Sequence, residues 1–422
     1  MVNYITKDDT IIFSPEFNKP LDLKLVSNYK KIIFSNYDLN ENLFVAYEKN
    51  NFNGLNYVTS KFNKPLLNYF DKLIFSICLT NSYFNNNLLS LTHLTFGYRF
   101  NQPLYNFLDK CVSLTHLTFD RRFCQSLRKS LYKLTLLTHL TFGYYFNKPL
   151  ANSLDKLTSL THLTFDEYFN QPLANSLDKL TSLTHLIFDT YFNQPLANSL
   201  DNLTSLTHLT FGYYFNQPLS NSLDKLTSLT HLTFGKDFNQ PLSNSLDKLT
   251  SLTHLTFGKD FNQPLTNSLD NLTSLTHLTF GDLFDQSLTN SFWSLTSLTH
   301  LSIGYYFNKK NDLSLNIKSI QINCNNLFYI DFLPSSIEEI KFGKYFNLEL
   351  NNLPNSIKKI SFYRYNNYNN KLNCLPNKLE ILELPYMYNK QIKNISPKLK
   401  KIICSIKYEF IEDFVGIEVE VY

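Results

Sequence analysis

Ten histidines, His93, His116, His139, His162, His185, His208, His231, His254, His277 and His300, follow one another at intervals of 23 residues. Imidazole changes charge near neutrality and is a common metal ligand, so such an array could serve metal binding, acid-base chemistry or pH sensing. Even spacing argues against the first two. Zinc takes four ligands in a tetrahedron at about 2 Å, and neither a cysteine nor a carboxylate recurs beside the histidines. A catalytic nucleophile needs an oriented base in surroundings of its own, whereas here each Ser and each His has equivalent copies. With only 10 glycines, there is no glycine-rich phosphate loop either. The expectation is a non-enzymatic protein with no catalytic, cofactor-binding or metal-binding residue. One consequence of the array remains: neighbouring imidazolium charges repel, so a column of them resists full protonation and acid loosens the coils that carry it.

A strict period in a rare residue means that the chain is built from copies of one small unit. The copy from Leu160 to Ser182 reads LTHLTFDEYFNQPLANSLDKLTS, with apolar residues at positions 1, 4, 6, 10, 14, 18 and 21. Those are Leu160, Leu163, Phe165, Phe169, Leu173, Leu177 and Leu180. Residues Leu160 to Phe165 suit a short strand, with Leu163 and Phe165 on one face and His162 and Thr164 on the other. Phe169-Asn170-Gln171-Pro172-Leu173 suits a turn, since Pro cannot donate to a strand ladder and Asn bonds to nearby backbone. Leu177 and Leu180, three apart after Asn175-Ser176, fit one turn of helix. One such coil cannot bury seven apolar side chains. Its open faces close only when neighbours stack on them, which joins the strands into a parallel sheet and aligns like residues in columns.

Further copies flank the regular ones. Strand patterns recur from Ile317, Ile337, Ile357, Leu379 and Leu399, and the turn motif appears at Phe17 to Leu21 and at Phe62 to Leu66. About nineteen coils at strand spacing predict a solenoid on the order of 90 Å long. The expected division is 1–90, degenerate N-terminal repeats and a cap; 91–313, regular 23-residue repeats; 314–407, divergent C-terminal repeats; and 408–422, a closing strand around Ile417-Glu418-Val419-Glu420-Val421. A thin coil between Phe84 and Phe100 predicts a local bend. Trp293, which stands where other copies have Asp, reads as a packing substitution ahead of a partner anchor.

The combination of L-x-x-L-x-F with Phe100-Asn101-Gln102-Pro103, Phe146-Asn147-Lys148-Pro149, Phe192-Asn193-Gln194-Pro195, Phe238-Asn239-Gln240-Pro241 and the Leu353-Pro354-Asn355-Ser356-Ile357 segment resembles the FNIP repeat, a divergent relative of leucine-rich repeats. The resemblance implies a repeat solenoid with a parallel β-sheet on one face and turns or short helical arcs on the other. It also implies a source among amoebae or the large DNA viruses that infect them. Many members resemble substrate-recognition subunits of ubiquitin ligases because an F-box precedes their repeats. Here Met1 to Glu16 is too short to hold that helical bundle ahead of the turn motif at Phe17.

Composition narrows the partners. A net charge of +4 over 422 residues gives no argument for nucleic acid. Lys and Arg do outnumber acids between Lys309 and Lys407, and this leaves a second reading, binding of nucleic acid or an anionic surface through those coils. The six cysteines form no CxxC pair, and Cys404 takes a core position as a small apolar residue. With no secretory signal and no apolar run of about 18 residues, a cytoplasmic monomer that avoids membranes is expected.

The regular copies differ from one another chiefly at positions 7 to 9, just past the strand, where Tyr and Arg recur. Both are favoured contact residues. The candidate face for a protein partner is therefore the outward strand column, His139, His162, His185 and His208, with the rim residues Tyr144, Tyr145, Tyr168, Tyr191, Tyr213, Tyr214, Tyr305 and Tyr306.

Overall fold

A computed structural model describes residues 92–96, 103–104, 107–288, 292–309, 316–324 and 333–422, with 101 and, toward the N-terminus, 4–8, 10–14, 16–17, 25 and 31–34. The turn-motif copy at Phe62 to Leu66 and the thin coil after Phe84 lie outside these residues. The chain divides into two compact units, Met1–Gln217 and Pro218–Tyr422, so the boundary falls inside the regular array.

In the first unit, β1 (Tyr4–Lys7) and β2 (Thr10–Phe13) form an antiparallel hairpin. All later pairings in this unit are parallel: β3 (Lys31–Phe34), β4 (His93–Thr95), β5 (His116–Thr118), β6 (His139–Phe142), β7 (His162–Phe165), β8 (His185–Phe188) and β9 (His208–Thr210) follow in order. In the second unit β10 (His231–Thr233), β11 (His254–Thr256), β12 (His277–Thr279), β13 (His300–Ile303), β14 (Ser319–Ile322), β15 (Glu339–Phe342), β16 (Lys359–Phe362), β17 (Ile381–Glu383), β18 (Lys401–Cys404) and β19 (Glu418–Val421) do the same. Register is fixed at one coil per strand: His162 faces His185, and Leu163 faces Leu186. Each unit is a solenoid of stacked coils.

The seven apolar positions of the unit all reach the interior. Leu160, Leu163, Phe165, Phe169, Leu173, Leu177 and Leu180 are buried. Phenylalanines at positions 6 and 10 stack within a coil and between coils: Phe165 lies 4.0 Å from Phe169 and 5.5 Å from Phe188, ring centre to ring centre. Cys111, Cys324 and Cys404 fill core positions. Burial pushes the Cys111 thiol up to about 12, which makes it a space filler with no thiolate at neutral pH.

Strands are shorter than the six-residue pattern. Thr161 and His162 both donate their backbone N–H to the Thr138 carbonyl at 2.9 Å, so the ladder proper starts at His162. The opposite side of the coil is a chain of tight turns and not an α-helical arc. Leu150 accepts from Ser153 at 2.6 Å, Leu154 from Leu157 at 2.9 Å and Leu157 from Leu160 at 3.0 Å. A left-handed residue in each of the seven regular arcs from Arg128 to Asn267, such as Asn152 (φ 59°) or Asn175 (φ 57°), breaks any continuous helix there. Among described residues beyond 100, helical geometry is limited to the 3₁₀ segments Phe107–Lys110 and Ile411–Asp413.

The Phe-Asn-x-Pro-Leu motif has a division of labour. Its Phe and Leu are core, and its Asn links the coils. Asn147 Oδ1 accepts from the Asn170 backbone N–H at 3.1 Å and from Gln171 Nε2 at 2.8 Å, and Asn170 Oδ1 accepts likewise from Asn193 at 3.0 Å and Gln194 at 2.9 Å. Asn239 and Asn262 repeat the arrangement in the second unit. Trp293 corrects the packing expectation: it is 83% exposed, while the preceding Phe292 is the residue that enters the core. Among described residues no helix is long and apolar enough to cross a membrane.

Candidate partner-binding face

Strand alternation turns positions 3 and 5 away from the core, and position 3 carries the imidazoles. In the first unit successive rings lie 4.1 to 4.2 Å apart and within about 11° of parallel, from His93 through His208. The four expected residues His139, His162, His185 and His208 thus form one continuous stack. His231 to His300 form another in the second unit.

Each ring is anchored by the threonine before it. Thr161 Oγ1 donates its proton to the Thr138 carbonyl at 3.0 Å and contacts His162 Nδ1 at 2.9 Å. The carbonyl can only accept, so the hydroxyl proton is used there and the imidazole must supply the other hydrogen. Neutral His162 is therefore the Nδ1–H tautomer, and Nε2 keeps the acceptor lone pair. Thr138 with His139, Thr184 with His185 and Thr207 with His208 follow the same rule. Burial first, and the neighbouring rings second, hold His139 and His162 below the ordinary imidazole range, and the same causes bring His277 down to about 4. Among described residues no cluster of three or more His, Cys, Asp or Glu could hold a metal ion.

Past strands β6 to β8 the backbone pairs again at the third residue. Tyr145, Tyr168, Tyr191 and Tyr214 donate their N–H groups to the carbonyls of Arg121, Tyr144, Glu167 and Thr190. The four tyrosines form a second column, with centroid separations of 5.3, 4.8 and 5.1 Å. They are 42%, 36%, 37% and 39% exposed. Tyr144 abuts this column edge-on against Tyr145, lies under the Arg121 guanidinium at 4.3 Å and donates its hydroxyl to Glu167 at 2.8 Å. That bond raises its phenol to about 12. Tyr213 packs edge-on against Tyr214. The expected Tyr305 and Tyr306 belong to the second unit, where Tyr305 packs edge-on against Tyr306 and Tyr345. Sequence reasoning missed Arg121, Glu167 and Tyr345, although all three occupy the same variable positions.

Close approach shapes this rim. A Cβ at Gly212 would sit 1.7 Å from the Asp189 carbonyl oxygen of the preceding coil, so the chain there admits only glycine.

After His300 the outward column changes character, with Ser319, Glu339, Lys359, Ile381 and Lys401 in register. Lysines on this face meet glutamates of the adjacent coil: Lys358 and Lys318 both pair with Glu338 at 2.7 and 3.5 Å, Lys359 with Glu339 at 2.5 Å, and Lys400 with Glu380 at 2.7 Å. Lys401 bridges Glu418 and Glu420 of β19 at 2.8 and 2.6 Å. On the strand side these pairs compensate Lys318, Lys358, Lys359, Lys400 and Lys401, whereas Lys341, exposed on β15, takes part in none of them.

Residues 309–345 and 346–387 match the family model described as FNIP Repeat. The chain carries FNIP repeats. Among solved structures, it is similar over its whole length to CroV588, described as a novel circular LRR protein, with 29% identity, a TM-score of 0.62 and 70% of that chain covered. An internalin from Listeria monocytogenes aligns with 84% of this FNIP-repeat chain and 87% of its own, at 14% identity and a TM-score of 0.53, and so shares the fold. No curated protein matches the sequence.

Proposed function

We propose that this FNIP-repeat chain is a non-enzymatic interaction scaffold whose imidazole stack and tyrosine rim hold another protein. The observation that carries the reading is the run of four exposed tyrosines, Tyr145, Tyr168, Tyr191 and Tyr214, on consecutive coils of a rigid sheet. Tyrosine offers large contact area and a hydroxyl at low entropic cost, and is enriched among residues that dominate interface energies. Beside it, each imidazole repeats one hydrogen-bonding pattern at every coil, which suits a partner with donors along an edge. The alternative, an anionic surface gripped by the C-terminal lysines, is disfavoured because Lys318, Lys358, Lys359, Lys400 and Lys401 on the strand side already have carboxylate partners, which leaves Lys341 there without one among the described residues.

The reading includes a cytoplasmic site of action for a monomer without cofactor, in keeping with five described cysteines that are all free, Cys374 among them exposed. It also includes a role as substrate-recognition module. Affinity capture compares the wild type with a variant in which Tyr144, Tyr145, Tyr213, Tyr214, Tyr305 and Tyr306 are Ser. Loss of specific partners in the variant, at unchanged melting temperature, supports the rim, and an unchanged partner set discards it. Binding that falls steeply with salt for wild type and variant alike favours the anionic alternative.

A further inference from the structure

One coil of the regular array departs from its siblings on the turn side, away from the strand face, and its departures converge. In the coil that begins at Leu114, Ser126 replaces the usual Pro, Arg128 the usual Ala or Ser, Lys129 the usual Asn and Tyr132 the usual Asp, as comparison with Pro172, Ala174, Asn175 and Asp178 shows. All four replacements line one cavity of about 700 Å³, which Lys133 and Asp109 also border. The stretch 128–133 carries three cations and no carboxylate, where 174–179 carries one of each. Arg128, Lys129 and Lys133 are exposed, and among the described residues none of them takes part in an ion pair. Arg128 moreover stands at φ 42°, in the left-handed turn position that Ala197, Ser220 and Ser243 occupy in their coils. A long cation at a strained position where the siblings hold small residues points to use. The same coil has Cys124 in place of the bridging Asn, so it passes no side-chain oxygen to the next coil.

We propose that this cavity binds a small molecule bearing two or more phosphate groups. Three uncompensated cations against the single carboxylate Asp109 select a ligand with several negative charges. A guanidinium beside two ammonium groups suits phosphate oxygens, which take bidentate bonds from Arg and point-charge contacts from Lys. The volume lies within the usual range for small-molecule sites and is ample for a nucleoside triphosphate. Tyr132 and Pro103, both half-buried, add an aromatic ring and an apolar surface for a base. This site is independent of the partner-binding face.

Sibling coils supply the control substitutions, because each consensus residue already folds in this setting. Calorimetric titration of the full chain with pyrophosphate, ATP and inositol hexakisphosphate tests the site, compared with Arg128→Ala, Lys129→Asn and Tyr132→Asp alone and together. The expected result is saturable one-site binding of at least one probe, weakened about tenfold or more by the combined change, with the melting temperature of the free protein retained. ATP bound more tightly than pyrophosphate, with the excess lost in Tyr132→Asp, identifies a nucleotide; equal affinities identify the phosphates alone as the recognised group. No binding by any probe, or a combined variant that binds like the wild type, overturns the proposal.

Discussion

At the scale of single residues, the threonine before each histidine governs how the imidazole behaves. Its hydroxyl proton goes to the backbone of the preceding coil, which leaves the ring only the Nδ1–H form. Nitrogen-detected NMR of the histidines should therefore show Nδ1 protonated and Nε2 bare at neutral pH, and a majority of Nε2–H forms would refute the assignment. Thr161→Val keeps the shape but leaves the Thr138 carbonyl and His162 Nδ1 short of a partner. A loss of about 1–2 kcal/mol is expected in chemical denaturation. The sign of the pH effect follows from the depressed imidazoles. The unfolded chain takes up protons near the ordinary value of 6.5, and the folded chain only further down, to about 4 at His277. Stability is then complete above about pH 6.5 and declines as pH falls through that window. Melting temperatures measured across it should drop for the wild type and stay flatter for a protein with all ten histidines changed to Asn.

At the scale of the coil, the sequence was most legible where burial sets the pattern. Seven apolar positions at a fixed period can only be core, and the burial of Leu160 through Leu180 follows. The arc was harder to read, because Leu177 and Leu180 three apart suit a helical turn and a pair of tight turns equally well, and only the left-handed Asn175 separates the two. Asn170 could be read as a turn former, but its bonds to Asn193 and Gln194 exist only between coils and have no local sequence signal. The lysine and glutamate pairs were hidden for a related reason: counting charge along the chain gives a basic excess, while the register of about 20 residues sets Lys358 against Glu338. Asn170→Ala should cost about 1–3 kcal/mol by stripping two donors of their acceptor. Gly212→Ala should cost about as much through overlap with the Asp189 carbonyl, while Ala at an exposed position of the same coil, such as Ser220, stays near neutral in thermal melts.

At the scale of the whole molecule, each coil depends on its neighbours and on little else, so stability adds up from coil to coil. Removing residues 160–182 joins Ser159 to Leu183 and brings Asn147 opposite Asn193 and His139 opposite His185, each an equivalent contact. That shortened chain should fold with a cooperative melt close to the original, whereas removing 160–171 alone takes away a strand and Phe169 and should lower the melting temperature sharply. A shortened chain that failed to fold would mean that contacts beyond nearest neighbours hold the coils.

The phenylalanine columns have an optical consequence. Rings 4.0 Å apart and about 14° from parallel, as Phe165 and Phe169 are, couple their electronic transitions, and the coupling repeats along the core. Ultraviolet circular dichroism of the protein thus carries a band from the aromatic lattice as well as one from the amides. Following the two on heating reports separately on loosening of the interior and on loss of backbone pairing.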